Sequence, residues 1–190
     1  NFLGTPPQGR ADYAFFQHII ASMSENTGRC AILFPHGVLF RDEEAAMRER
    51  LIDMDILDCI IGIGANLFYN ASMEACIIVC NNHKSSERKG KVLFIDAKNE
   101  VMRKDTVSFL EPTHIDKIAN TYHAFKNVDK FAKVVTIDEI KESRNLLNIQ
   151  TYVDCSDDVI DLVTTPEALA MWQNDAHMLT NQMDALSKLF

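Results

Sequence analysis

Few ionisable or nucleophilic side chains in this chain stand at spacings that chemistry requires. His36, in the corner Pro35-His36-Gly37, has the residue type of a general base. A corner built on Pro and Gly more simply uses a polar side chain to bond local backbone, and that is the reading adopted. Five cysteines (Cys30, Cys59, Cys76, Cys80, Cys155) and six histidines are the metal-capable donors. They show neither CxxC nor HxxxH spacing, so no metal site is expected. Cys76 and Cys80, four apart on one predicted strand, lie about 13 Å apart at strand rise, too far for a disulfide with each other. The odd count and the placement in apolar runs suggest reduced, packed thiols and a cytoplasmic protein. Asp58 and Asp96 fall within or at the ends of predicted strands, and their spacing defines no carboxylate pair. Asp12 precedes a helical pattern, where it can cap. The segment 81–91 (NNHKSSERKGK) holds four Lys/Arg and one Glu. It reads as a solvated hairpin tip, with a phosphate-contacting loop as the alternative.

The elements that must position these residues are concentrated between Gly28 and Asn81. The run 29–34 (RCAILF) reads as a buried strand, ended by Pro35 to Gly37 because Pro fixes φ and removes a donor. An amphipathic helix spans 42–53, with Asp42, Glu43 and Glu44 in its first turn and Ala46, Met47, Leu51 and the stem of Arg50 on one face. The run 56–63 is a second strand and 75–80 a third. Strand, helix, strand is a βαβ crossover, and the second and third strands form an antiparallel hairpin whose loop, 64–74, carries Asn66, Leu67, Phe68 and Tyr69. Ahead of these lies a helix from Asp12, with Tyr13, Phe16, Gln17 and Ile20 on one face, widened by Phe15 and Ile19. Beyond them 92–96 is a strand, 100–111 a surface loop, and Pro112 opens a helix with Ile115, Ile118, Ala119, Tyr122 and Phe125 along one face. The run 131–137 is a strand, 138–143 one helical turn and 146–153 an extended segment. The fold class is α/β: the second half of a doubly wound sheet, with an antiparallel strand near its edge.

A net charge of −8 is unevenly spread, since residues 151–190 hold seven acids and a single Lys. The remainder is nearly balanced, and neither part is a basic nucleic-acid patch by count. No run approaches the roughly 18 apolar residues of a membrane span, and no signal peptide is evident. The last helix starts at Pro166-Glu167. Its apolar residues Leu169, Trp172, Ala176, Leu179, Met183, Leu186 and Phe190 alternate spacings of three and four, an a/d seam over three heptads that suits packing on its own domain or, the reading adopted, pairing with a partner's helix.

Taken together, ADYAFFQHI (11–19), GRCAILFPHGVLFR (28–41), LDCIIGIGANLFYNA (57–71), ACIIVC (75–80), GKVLFIDA (90–97) and, more weakly, NLLNIQTYV (145–153) resemble the modification subunit of type I restriction–modification systems, an adenine-N6 DNA methyltransferase. The resemblance implies a Rossmann-like sheet that uses S-adenosylmethionine and acts on duplex DNA. It also implies a DNA-specificity subunit bound through the C-terminal helix, and a possible restriction subunit. Three parts are expected: 1–97, the C-terminal half of the catalytic domain; 98–153, an α/β extension; and 154–190, a helical arm. The family's Gly-rich donor loop and Asn-Pro-Pro-Phe motif do not occur here. Thr5-Pro6-Pro7 lacks the Asn whose amide oxygen would accept from the adenine amine. The chain, which begins Asn1-Phe2 without Met, is accordingly read as a segment of a longer protein. Alone it is expected neither to bind the donor nor to catalyse transfer.

Within the family pattern, the loop 64–74 corresponds to one that carries an aromatic for stacking a flipped base. Phe68 is the first candidate and Tyr69 the second, with Pro35, His36 and Asn66 bordering the pocket. Where relatives often show Leu-Pro-Pro-Asn-Leu-Phe, this chain has Ile63-Gly64-Ala65-Asn66-Leu67-Phe68, a less rigid loop. Asp12, at the head of the helix that would follow the family's catalytic loop, is the candidate on the cofactor side. Two other classes stand beside this reading: a non-catalytic assembly module that keeps the sheet, and a methyltransferase acting on RNA or protein.

Overall fold

The apolar runs and the amphipathic stretches between them form strands and helices in the computed structural model, which describes residues 2–68, 72–104, 107–154 and 172. Helix α1 (Asp12–Ala21) is followed by strand β1 (Arg29–Pro35), helix α2 (Ala45–Asp53) and strands β2 (Leu57–Ile63), β3 (Ala75–Asn81) and β4 (Lys91–Ala97). A short hairpin, β5 (Met102–Lys104) and β6 (Val107–Phe109), precedes helix α3 (Pro112–Ala124), strand β7 (Ala132–Thr136) and helix α4 (Ile137–Glu142). The chain divides into two compact units, Asn1–Cys155 and Ser156–Phe190. In the second, Trp172 is helical and 67% exposed. Leu169, Ala176, Leu179, Met183, Leu186 and Phe190 of the heptad seam, like Tyr69, lie outside the described residues.

The five-stranded sheet has the order β1-β3-β2-β4-β7. The hairpin expected from 56–80 forms, and β3 is antiparallel to both β1 and β2. Strands β1 and β2 therefore run the same way, and the crossover through α2 skips one position, which β3 fills. Strand β4 lies parallel to β2, and β7 antiparallel to β4. Every residue of β2 is buried, as a near-continuous apolar strand covered on both faces should be. On one face Tyr13, Phe16 and Ile20 of α1, Met47, Leu51 and Ile52 of α2 and Ile140 of α4 pack on Phe34, Ile60, Ile78 and Phe94. On the other, Ile118 and Tyr122 of α3 sit against Cys59, Leu93 and Ile95. Helices on both faces of one sheet are the α/β architecture predicted, although most strand pairs in it are antiparallel.

Several local expectations are corrected. Asp12 does not cap α1: Ala11 holds the cap position, and the Asp12 carboxylate accepts from Arg41 Nη1 at 2.9 Å. The helical stretch 42–53 begins as a 3-10 turn, Asp42–Glu44. Its buried face includes Arg48, whose guanidinium donates to the carbonyls of Arg41 (2.6 Å) and Asn145 (3.2 Å). The loop 100–111 contains the β5–β6 hairpin, and 146–153 contains a 3-10 turn, Ile149–Thr151, rather than an extended run. On α3 the expected apolar face is incompletely covered, and Ile115 is exposed.

The basic segment 81–91 is not a solvated hairpin tip. It carries the chain from β3 across the end of β2 to β4, so that Lys84 and Arg88 turn inward while Lys89 and Lys91 stay exposed. Lys84 is buried and donates to Asp55 Oδ1 (2.6 Å) and to the carbonyls of Leu57 (2.9 Å) and Lys91 (2.7 Å). Arg88 reaches Asp58 Oδ2 at 2.9 Å. The register of β2 against β3 shifts between Leu57 and Cys59. This bulge sends Leu57 to one core and Cys59 to the other, and it leaves Asp58 as the inserted residue whose side chain is re-aimed.

Candidate functional site

Strands β1, β2 and β4 end, and β3 begins, along one row of the sheet: Pro35 pairs with Ala75, Ala75 with Ile63 and Ile63 with Ala97. Three connections leave from this row. They are the 3-10 turn His36–Leu39, the loop 64–74 and the stretch after Ala97. In open α/β sheets, ligands sit outside such carboxyl ends, where the loops diverge.

A cleft of about 200 Å³ opens here, lined by Leu33, Phe34, Pro35, Phe68, Met73, Glu74 and Ala75. Its walls are apolar apart from the Glu74 carboxylate. Phe68 remains 37% exposed, and Leu33 and Met73 are exposed as well. A flat apolar slot with an accessible aromatic ring is suited to a planar heterocycle.

Beside the cleft lies a polar cluster. His36, Glu74, Asp96 and Lys98, with Gly62 and Ile149, enclose a space of about 10 Å³, the size of one water. His36 Nδ1 is 3.7 Å from Glu74 Oε2, and Lys98 Nζ is 3.3 Å from Asp96 Oδ2. The His36 ring meets Phe40 edge-on at 5.9 Å. Burial lowers the His36 pKa from its ordinary 6.5, against the carboxylates of Glu74 and Asp96, which raise it. The imidazole is therefore neutral at pH 7. Its folded value lies below its unfolded one, so between the two the unfolded chain binds more protons and stability falls as pH falls. Urea midpoints should hold steady above about pH 7 and decline on acidification from 6.5 downward. That decline should be shallower in His36→Gln.

The loop that presents Phe68 is held by backbone. A Cβ on Gly64 would lie 2.5 Å from the Lys98 carbonyl oxygen and 3.0 Å from Val101 Cγ1, so the loop leaves β2 through a gap only glycine fits. Asn66 takes a φ of 60°, a region Asn tolerates better than most residues. Its carbonyl accepts from the Ser108 amide at 2.9 Å, which ties the loop to β6. Gly64→Ala should destabilise the chain by about 1–3 kcal/mol, in the range of overpacking, and displace the loop. Chemical denaturation checks the first effect, and loss of protection of the Ser108 amide in hydrogen exchange the second.

Of the residues singled out from sequence, the structure brings Pro35 and Phe68 together in the cleft and places His36 in the adjoining polar cluster. Asn66 acts through its backbone and does not line the cleft. Asp12 is not at this row. It belongs to a separate cluster in which Arg41 also contacts Glu44 Oε1 at 3.4 Å. Burial raises the pKa of Glu44 despite that cation. Glu74, Met73 and Lys98 were not foreseen. The signal available for Glu74 was its place immediately before β3, and for Lys98 its spacing of two from Asp96. Among the described residues, no three His, Cys, Asp or Glu side chains converge as metal ligands, and no helix is long and apolar enough to cross a membrane.

Comparison with known proteins bears on this arrangement. Residues 1–159 match the N-6 DNA Methylase family. The chain is similar to the type I restriction enzyme MjaVIII methylase subunit of Methanocaldococcus jannaschii, with 35% identity over 90% of this chain and 30% of that protein. It is also similar to the HindI methylase subunit of Haemophilus influenzae, with 34% identity over 98% of this chain and 43% of that one. The chain thus spans less than half the length of these relatives. Among solved structures, the type I restriction–modification methyltransferase subunit of Streptococcus thermophilus superposes with a TM-score of 0.75 at 36% identity, over 80% of this chain and 32% of that one. The EcoKI M protein shares the fold at a TM-score of 0.61 and 16% identity, over 95% of this chain and 43% of that one.

Proposed function

The chain belongs to the N-6 DNA methylase family, and from that membership we infer that it is part of a type I restriction–modification methylase subunit. The reaction is transfer of a methyl group from S-adenosylmethionine to the N6 amine of adenine in duplex DNA. The observation that carries the reading is the match of residues 1–159 to the family, which includes the whole rim of the sheet where the cleft opens.

Within the reaction this chain supplies the base-holding side. An enzyme that modifies a base must extrude it and hold it against planar or apolar side chains. Phe68 is the stacking surface, Pro35 the opposing wall, and the loop 64–74, pinned at Gly64 and Asn66, fixes the distance between them. The neutral His36 buttresses the corner rather than taking a proton. Methyl transfer from a sulfonium to a positioned amine needs no activated protein nucleophile, so alignment is the main contribution.

The donor supplies an electrophilic methyl. The described residues do not themselves suit it: Asp12, the candidate on that side, has its carboxylate on Arg41, and the cleft, apolar apart from Glu74, has no cation in its lining to meet the donor's carboxylate. Residues 1–97 hold the base-side rim and 98–153 complete the sheet. Residues 154–190, with the seam through Trp172, dock on the specificity subunit, which reads the DNA sequence in a cytoplasmic complex that a restriction subunit can join.

The test is methyl transfer from labelled S-adenosylmethionine by the full-length subunit, with and without its specificity partner. Label on adenine N6 of duplex DNA, dependent on the partner, is the expected result. Label on RNA or protein instead, or none with the partner present, would overturn the reading.

A further inference from the structure

Cys30 of β1 and Cys80 of β3 are cross-strand partners, directly opposite in an antiparallel pair. Such partners have Cα atoms about 4.5–5.5 Å apart, inside the span of about 4.4–6.8 Å that a disulfide bridges. Both side chains face the same core, side by side across the pair. Both are free thiols in this structure. Their accessibility differs: Cys80 is fully buried, whereas Cys30 is only partly buried. Cys59 faces the opposite core, and Cys76 stands opposite Phe34, so neither shares this geometry.

We propose that Cys30 and Cys80 are a site of reversible oxidative modification, forming an intramolecular disulfide on exposure to hydrogen peroxide. The Cys30 thiolate attacks one peroxide oxygen. The O–O bond breaks, and the departing hydroxide takes up a proton as water, leaving a sulfenic acid on Cys30. The Cys80 sulfur then attacks the Cys30 sulfur. The S–S bond forms, the S–O bond breaks, and the hydroxyl leaves with the Cys80 proton as a second water. Two thiols lose two hydrogens and two electrons, and the peroxide is reduced to two waters.

The division of roles has a physical basis. Hydrogen bonds from the Cys80 side chain and backbone lower the pKa of Cys30, so thiolate forms on the sulfur that solvent reaches. The hydrogen bond with Cys30, and then burial, raise that of Cys80, with Asp58 adding to the effect and Lys84 opposing it. Cys80 is thus held back until a sulfenic acid appears beside it. The bond would tie β1 to β3, its neighbour among the described strands, at the end of the pair remote from Pro35. The proposal does not rest on the methyltransferase reading.

The experiment is stepwise peroxide treatment of the full chain, alkylation under denaturing conditions, digestion without reduction, and mass spectrometry. The expected product joins the Cys30 and Cys80 peptides with loss of about 2 Da for the two thiol hydrogens, and dithiothreitol reverses it. Cys80→Ser should instead accumulate sulfenic and then sulfinic acid at Cys30, and Cys30→Ser should leave Cys80 reduced. The thermal midpoint of the oxidised wild type should rise. If Cys30 in the wild type advances to sulfinic acid while Cys80 stays free, or if both thiols remain alkylatable at peroxide doses that fully oxidise added free cysteine, the proposal fails. Because the decisive reading is made on the wild type, a variant that does not fold leaves it intact.

Discussion

Asp58→Ala should destabilise the fold by about 3–5 kcal/mol, the cost of removing one member of a buried ion pair. Asp58 has no exposed surface. Its Oδ2 accepts from the Tyr122 hydroxyl at 2.6 Å and from Arg88 Nη1 at 2.9 Å. Arg88, 17% exposed, also donates to the carbonyls of Tyr122 (2.9 Å) and His123 (3.3 Å) and lies 4.4 Å from the Phe125 ring centre. Arg29 closes the network by donating to the Tyr122 hydroxyl at 2.8 Å. Four pieces of chain meet at this carboxylate: β1, β2, the segment after β3, and α3. Removing it strands a guanidinium between two aromatic rings. The pair is nonetheless a poor source of net stability, because Asp58 Oδ1 is buried with no hydrogen-bond partner. A double replacement, Asp58→Leu with Arg88→Met, should therefore recover much of the loss. Urea unfolding of the three proteins measures both effects. A single-mutant loss below about 1 kcal/mol would mean the pair behaves as a solvated one.

Phe68→Ala should reduce methylation of a matched duplex by the full-length subunit roughly tenfold to a hundredfold, since stacking on an aromatic is worth about 1–3 kcal/mol per base. The same change should move unfolding by less than about 1 kcal/mol, because the ring is already partly in water. Phe68→Tyr or Phe68→Trp should keep most of the activity. A duplex with a mismatch at the target adenine supplies the control. Its base is easier to extrude, so the loss in kcat/KM should be smaller there than on the matched duplex. Equal losses on the two duplexes would place Phe68 outside base extrusion, and an unfolding shift as large as the activity loss would make it a structural residue.

The strands and the hairpin of this fold were legible because period and punctuation agree locally. RCAILF ends at Pro-His-Gly, LDCIIGI is apolar throughout, and ACIIVC follows within one loop. That β3 also pairs with β1 was not legible, because a strand's pattern records that both its faces are buried and not which strands flank it. The basic run 81–91 misled for a related reason. Lys84 and Arg88 look solvated in sequence, and only the crossing over β2 brings Asp55 and Asp58 to meet them. Asp12 looked like a cap because it precedes an apolar period, but Arg41, distant in sequence, takes its carboxylate. At the site, Phe68 and Pro35 could be named from the resemblance. Glu74 and Lys98 could not, since their meeting with His36 depends on the register of three strands.

The position of β3 between β1 and β2 has a consequence for the timing of folding. During synthesis β1 emerges before β3, which pairs with it and is made only after α2, β2 and the loop 64–74. The β2–β3 hairpin is local and can close within microseconds. Until it does, the edge of β1 that β3 will take is unpaired. Joining Arg29 to Asn81 closes a long loop, so the docking of β1 is a non-local step that follows the hairpin. For that interval an apolar strand waits with that edge open, the condition in which chains pair with one another instead of with themselves.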